Sequence, residues 1–244
     1  MSDTNDTPLT GGVVLVTGAG RGLGREIALT FARSGADVVV AARTAAQIEE
    51  LAAEIGTLGR RARPIVADVA QEDQVRAMVA QALAEFGQVD VLINNAGVAV
   101  YGPFVEQNSA DWRAMIHTNL MGTIFCTHAV LPHMLARGQG LVINISSVAG
   151  IHGLPNEAIY CASKHGVRGF TDALAVELKE KGVRVCGIYP GGMDTPFWDV
   201  QTYGGDRSRI MDPARVAEMV LAVARQPAGI LVREVILFPT NEWH

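Results

Sequence analysis

Tyr160 and Lys164 stand four residues apart in a stretch that reads as helix, so a phenol and an ammonium share one face. A free tyrosine titrates near ~10, too high for easy proton exchange at neutral pH. A neighbouring cation favours the phenolate and lowers that value. A phenol tuned in this way can give a proton to a forming alkoxide, or take one back in the reverse direction. A second chemical feature lies near the N-terminus. There an apolar run passes into Thr17-Gly18-Ala19-Gly20-Arg21-Gly22-Leu23-Gly24, and a helical pattern follows. Glycines let the backbone turn tightly and approach a pyrophosphate, which then rests on the N–H groups of the helix start. The next apolar run ends Ala42-Arg43-Thr44, with no acid to bind a ribose 2′-hydroxyl, and Asp37 lies at its other end. Arg43 and Arg21 supply guanidinium groups, which pair with phosphate in a fork geometry. An arginine at this place accommodates a 2′-phosphate, so the sequence predicts NADP(H) rather than NAD(H).

These groups need a frame. Nearly continuous apolar runs at 13–17, 38–42, 63–67, 89–94, 141–146, 183–189 and 230–237 read as strands covered on both faces. Helical stretches separate them. Val75, Met78, Val79, Ala82, Leu83 and Phe86 form one apolar stripe, and Ile48, Leu51, Ile55 and Leu58 another. Thr44 followed by Gln47 fits a capping box, and Asp212-Pro213 fits an N-cap with a first-turn proline. The alternation argues for an α/β fold, a doubly wound parallel sheet with helices on both faces. In such sheets ligands bind beyond the carboxyl ends of the strands. Thr17/Gly18, Arg43, Asp68, Asn95, Ser147 and Pro190 each follow a predicted strand, so they describe one crevice. Residues 194–211 follow a strand without a clear period and carry Phe197, Trp198 and Tyr203, which reads as a lid over a site. With Val148, His152 and Leu154, the aromatic pair Trp198 and Tyr203 are the candidate substrate contacts. Residues 1–10 read as a flexible segment and 11–244 as one domain.

Composition excludes other classes. Hydrophobic residues are 49% of 244 and charged residues 18%, against a usual charged share of about 25%, so the bulk of the chain is not disordered. The net charge of −5 comes without a basic stripe, which argues against a nucleic-acid partner. No apolar run reaches the roughly 18 residues of a membrane span. The first ten residues are polar and acidic, unlike a secretory signal. Cys126, Cys161 and Cys186 have no metal or C-x-x-C spacing, and the histidines form no metal motif. The expectation is a cytoplasmic protein with reduced thiols, no metal and a small-molecule substrate.

The motifs, taken in order, resemble those of the short-chain dehydrogenase/reductase family. T-G-x-x-x-G-x-G spans Thr17 to Gly24; Asp68 follows the third strand, and Asn94-Asn95-Ala96-Gly97 the fourth. Asn119, Ser147, Tyr160-x-x-x-Lys164 and Pro190-Gly191 complete the set, with Ser147 thirteen positions before Tyr160. The resemblance covers about residues 11 to 238. It implies a Rossmann-type seven-stranded sheet in the order 3-2-1-4-5-6-7. It also implies a reductase interconverting a ketone and a secondary alcohol, of the general ketone or 3-oxoacyl type. Tyr160 would then be the acid/base, Lys164 would also hold the nicotinamide ribose, Ser147 the substrate oxygen, and Asn119 a water in a proton relay. Ser146 competes for the serine role; the spacing favours Ser147. Gly18, Gly22, Leu23 and Gly24 would meet the pyrophosphate, Asp68 and Val69 the adenine, and Asn95, Ala96 and Gly97 the cofactor beside them. Pro190, Gly191, Met193 and Thr195 would meet the nicotinamide end. The family is usually dimeric or tetrameric, which implies a homo-oligomer formed through helices near 112–137 and 158–181 and the last strand.

Two other readings use the same residues. A noncatalytic NADP-binding sensor on this fold would show a broken catalytic set, and all four residues are present. A serine hydrolase would need a G-x-S-x-G turn, and Asn144-Ile145-Ser146-Ser147-Val148 is not one.

Overall fold

Runs of Val, Ile and Leu, buried along their length, build the centre of the protein. The computed structural model describes residues 9–198 and 210–240. The strands are β1 (Val13–Thr17), β2 (Asp37–Ala42), β3 (Ala62–Val66), β4 (Val91–Asn94), β5 (Gly140–Ile145), β6 (Val183–Pro190) and β7 (Glu234–Leu237). They form one sheet in the order β3-β2-β1-β4-β5-β6-β7, and every neighbouring pair is parallel. The helices are α1 (Gly22–Arg33), α2 (Ala45–Thr57), α3 (Glu72–Phe86), α4 (Ser109–Met115), α5 (Gly122–Arg137), α6 (Ala158–Glu177) and α7 (Pro213–Ala224).

Alternation along each strand divides the core in two. Val14, Val16, Val38, Val40, Ile93 and Ile143 face α1, α2 and α7. Leu15, Val39, Leu92, Val142 and Val185 face α3, α5 and α6. Each such side chain fully buried contributes about 1.5–3 kcal/mol of transfer free energy. A polar seam interrupts the second layer. Asn94 and Asn144 are register partners, and the Asn94 amide donates to Asn144 Oδ1 at 2.9 Å and to Thr127 Oγ1 at 2.9 Å. Asn144 donates in turn to Thr171 Oγ1 at 2.8 Å.

Asp37 opens β2 and is buried. Its carboxylate accepts from Arg60 Nη2 at 2.7 Å, the Arg61 backbone N–H at 3.1 Å and Arg61 Nε at 2.7 Å. Burial works to raise this carboxyl, but the Arg61 hydrogen bonds and the two guanidinium charges outweigh it and hold it below its ordinary value. The stability it adds is therefore present above the usual carboxylate range and is lost as pH falls through the lowered value. Asp37→Asn is expected to cost about 2 kcal/mol of unfolding free energy at neutral pH, since hydrogen bonds to charged groups are worth roughly 1.5–3 kcal/mol. Urea denaturation of both proteins along an acid series checks this: the gap should close on acidification.

Several element ends depart from expectation. β7 begins at Glu234 rather than at 230, because Ile230 folds back in a turn onto the Pro227 carbonyl at 2.8 Å. The apolar run is present, but pairing with β6 starts only at Glu234 opposite Gly187. α6 ends at Glu177 rather than at 181, in a turn where Glu180 and Gly182 take positive φ. The capping box is not formed: Thr44 occupies the N-cap of α2 without a side-chain bond. Gln47 instead reaches the glycine-rich turn, where its Oε1 lies 2.6 Å from the place a Gly20 Cβ would take. Asp212 does cap α7, accepting from the Ala214 N–H at 2.8 Å. The helical stretch near 112–137 is divided by a wide, π-type turn at Ile116–Met121. Such turns recur at functional sites, and this one carries Asn119.

Candidate active site

β1 delivers the chain into the glycine-rich turn. Gly18 has φ 65° and packs on the Ala96 backbone, and a Cβ there would meet Ala96 Cα at 2.8 Å. A Cβ on Gly24 would lie 2.3 Å from the Gly18 carbonyl oxygen. Side chains at these two places would force the turn apart. The turn is anchored from β4: the Asn95 amide donates to Thr17 O at 2.9 Å and Gly18 O at 3.2 Å, and Thr17 Oγ1 accepts from Asn95 N at 3.1 Å. The Asn95 side chain therefore holds the loop rather than reaching out of it. α1 starts here with Arg21 at its N-cap, no side-chain cap and no acid in its first turn. Its first N–H groups carry the positive end of the helix dipole toward the sheet edge, an arrangement suited to an anion.

A cavity of about 900 Å³ runs along the carboxyl ends of the strands. Its walls include Gly18, Arg21, Gly22, Leu23 and Gly24 at the middle, with Arg43, Asp68 and Val69 toward one end. Arg21 and Arg43 are exposed and hold no ion pair among the described residues. Asp68 Oδ1 accepts from the Ala70 N–H at 3.0 Å, so this carboxylate also shapes a turn. Asn95, Ala96 and Gly97 line the centre; Pro190, Gly191, Met193 and Thr195 line the other end. Thr195 is buried against the glycine-rich turn, and a Gly22 Cβ would meet its Cβ at 3.3 Å. An open helix start, unpaired guanidinium groups and a wall closed to side chains at Gly18 and Gly24 fit a phosphate-bearing dinucleotide.

Ser147, Tyr160 and Lys164 come together at the end of the cavity that Pro190, Gly191, Met193 and Thr195 line. Ser147 follows β5, its hydroxyl accepts from the Ala149 N–H at 3.1 Å, and its influence on Tyr160 favours the phenolate. Ser146 points inward, donating to the Lys164 carbonyl at 3.1 Å, which separates the two serines by orientation. Tyr160 and Lys164 are both buried on α6, and Lys164 Nζ lies 5.7 Å from the phenol ring centroid. Nζ also donates to the Ile145 carbonyl at 3.1 Å.

The electrostatics differ from the sequence expectation. Burial pushes the Tyr160 phenol up; the Ser147 hydroxyl pulls it down, and Glu157 and Cys161 push it further up. Burial also lowers Lys164 to about 8. Desolvation disfavours both charged forms, so the expected lowering of the phenol by the ammonium does not prevail here. Asn119 Oδ1 accepts from Val98 N at 2.8 Å, and its Nδ2 donates to Val98 O at 2.9 Å and Ser163 Oγ at 2.9 Å. These bonds fix the loop after β4 against α6.

The substrate candidates divide. Val148 and Leu154 line the cavity beside Tyr160. His152 is exposed and lies off its wall, because its backbone turns back to the Val148 carbonyl at 2.9 Å. Tyr203 and the Trp198 side chain lie outside the described residues. The ends of the expected lid are pinned together by a bridge between Met193 and Met211. Two wall residues were not expected, Tyr101 and Glu157, and Phe197 was expected only as part of the lid. Tyr101 meets Tyr160 edge to face at 5.7 Å, Phe197 lies 6.3 Å from the same ring, and Glu157 stands one helical turn before it. The helix spacing of Glu157 from Tyr160 was the available signal for the last.

Among the described residues no helix is long and apolar enough to cross a membrane. A family model described as short chain dehydrogenase matches residues 12–203. Relatives include the 3-oxoacyl-[acyl-carrier-protein] reductase FabG of Thermotoga maritima, 33% identical over 93% of this chain and 96% of that protein. The short-chain reductase protein NovJ of Streptomyces niveus is 38% identical over 92% of this chain and 91% of its own. Among solved structures, a metagenomic short-chain oxidoreductase in complex with NADP aligns with TM-score 0.85 and 34% identity, covering 97% of this chain and all of that one.

Proposed function

As the chain belongs to the short-chain dehydrogenase family, we propose that it interconverts a ketone and a secondary alcohol with NADP(H). The observation that carries this reading is the gathering of Ser147, Tyr160 and Lys164 at one end of a dinucleotide-sized cleft. A bound NADPH supplies the hydride that the carbonyl carbon receives. Tyr160 delivers a proton to the carbonyl oxygen, and its raised proton affinity keeps it a neutral donor at pH 7. Ser147 orients that oxygen. Lys164 holds the ribose and supplies positive charge behind the phenol. Asn119 anchors the loop wall with its side chain and holds a water in a proton relay behind Lys164.

The cofactor preference rests on Arg21 and Arg43 at the adenosine end and on the absence of an acid after β2. Asp37 is held by Arg60 and Arg61 at the opposite edge of the sheet. NADPH is expected to be used at least about tenfold better than NADH, and Arg43→Ala to lower kcat/KM for NADPH by about 10–100-fold with little effect on NADH. Initial rates with both cofactors across a ketone panel check this. A clear NADH preference unchanged by Arg43→Ala would remove the assignment.

A further inference from the structure

Among the described residues, the half of the cleft in front of Tyr160 is walled by Tyr101, Val148, Leu154, Pro155 and Phe197, with a single carboxyl, Glu157. Glu157 is half-buried, and among the described residues its side chain has no hydrogen bond or ion pair. The titratable groups around it, among the described residues, are Tyr101 from the loop after β4, and Tyr160 and Cys161 from α6. All three are pushed up by burial and so are neutral at pH 7. Lys164 lies over the Tyr160 ring and spends its ammonium on the Ile145 carbonyl. We propose that Glu157 selects amino ketones and their amino alcohol products, its carboxylate pairing with the protonated nitrogen while the carbonyl oxygen lies against Ser147 and Tyr160.

The proposal rests on the ketone reductase reading and names its substrate class. An unpaired carboxylate in an apolar wall is costly to desolvate, and a cation of the right reach offsets that cost. Burial raises Glu157 to about 7, so it ionises readily once a cation arrives. Its charge also raises the proton affinity of Tyr160. A substrate ammonium beside Glu157 cancels that field and makes Tyr160 a better proton donor at the moment one is needed. A substrate carboxylate would meet repulsion instead.

β-(Dimethylamino)propiophenone and the ketone with carbon in place of its nitrogen differ in charge and little in shape. With NADPH at neutral pH, the protein should favour the amine by about 10–100-fold in kcat/KM, and Glu157→Gln should abolish the preference. Glu157→Lys should turn the preference toward β-benzoylpropionate. Calorimetry of the amino alcohol on NADP-loaded protein reads the same pairing without turnover. Equal use of both ketones, or a preference that survives in Glu157→Gln, overturns the proposal while leaving the reductase reading intact. Glu157-dependent binding of the amine with no reduction of either ketone supports the pairing and removes the reductase reading.

Discussion

Tyr160→Phe is expected to lower kcat for ketone reduction by about 10²–10⁴-fold, the range associated with loss of a positioned general acid. NADPH binding should change little, because the cleft from Arg43 to Gly97 is untouched and the ring still packs against Tyr101 and Phe197. Cofactor fluorescence titration and steady-state rates separate the two effects. Loss of cofactor binding along with turnover would mean that the hydroxyl holds the cleft together; unchanged turnover would remove Tyr160 as the proton donor.

The second large effect is at Lys164. A Glu157→Gln protein, free of the carboxyl that titrates near about 7 beside the phenol, should reduce neutral ketones at a constant rate below about 8 and more slowly above it, as the buried ammonium loses its proton. The direction follows from the cause. Lys164 is charged on the acid side of that value, and only the charged form supports the phenol electrostatically. Lys164→Met in that background should lower kcat by about 10²–10³-fold and erase the alkaline limb. It should also weaken NADPH by roughly tenfold, through the lost ribose contact. A pH–rate profile of the variant with its limb unchanged would assign that titration to another group.

Much of this site could be read before any coordinates. Strands buried on both faces announce themselves as unbroken apolar runs, so the parallel sheet and the crevice at its carboxyl edge were legible, whereas the strand order came only from the family resemblance. The i,i+4 pair on α6 needed only helix geometry. What escaped depends on direction and environment. Gln47 has the spacing of a capping residue but turns to the glycine-rich loop. His152 sits in the expected loop, yet its backbone folds it to the outside. The proton affinity of Tyr160 is set by how much water the finished cleft excludes, which local sequence does not encode. The π-type turn that brings Asn119 to Val98 leaves no mark on the apolar period. The start of β7 was set by where its partner strand begins, a property of tertiary pairing.

The asparagine pair in the polar seam acts as a registration peg. Asn94 and Asn144 immediately precede the segments that carry Asn95 and Ser147, so the offset between those segments is the offset between the two amides. Sliding one strand by two residues would keep every side chain on its own face. It would also set amides against aliphatic neighbours at about 1–3 kcal/mol for each orphaned group. The peg therefore fixes the offset between the Asn95 turn and the Ser147 turn, from a position outside the cleft wall.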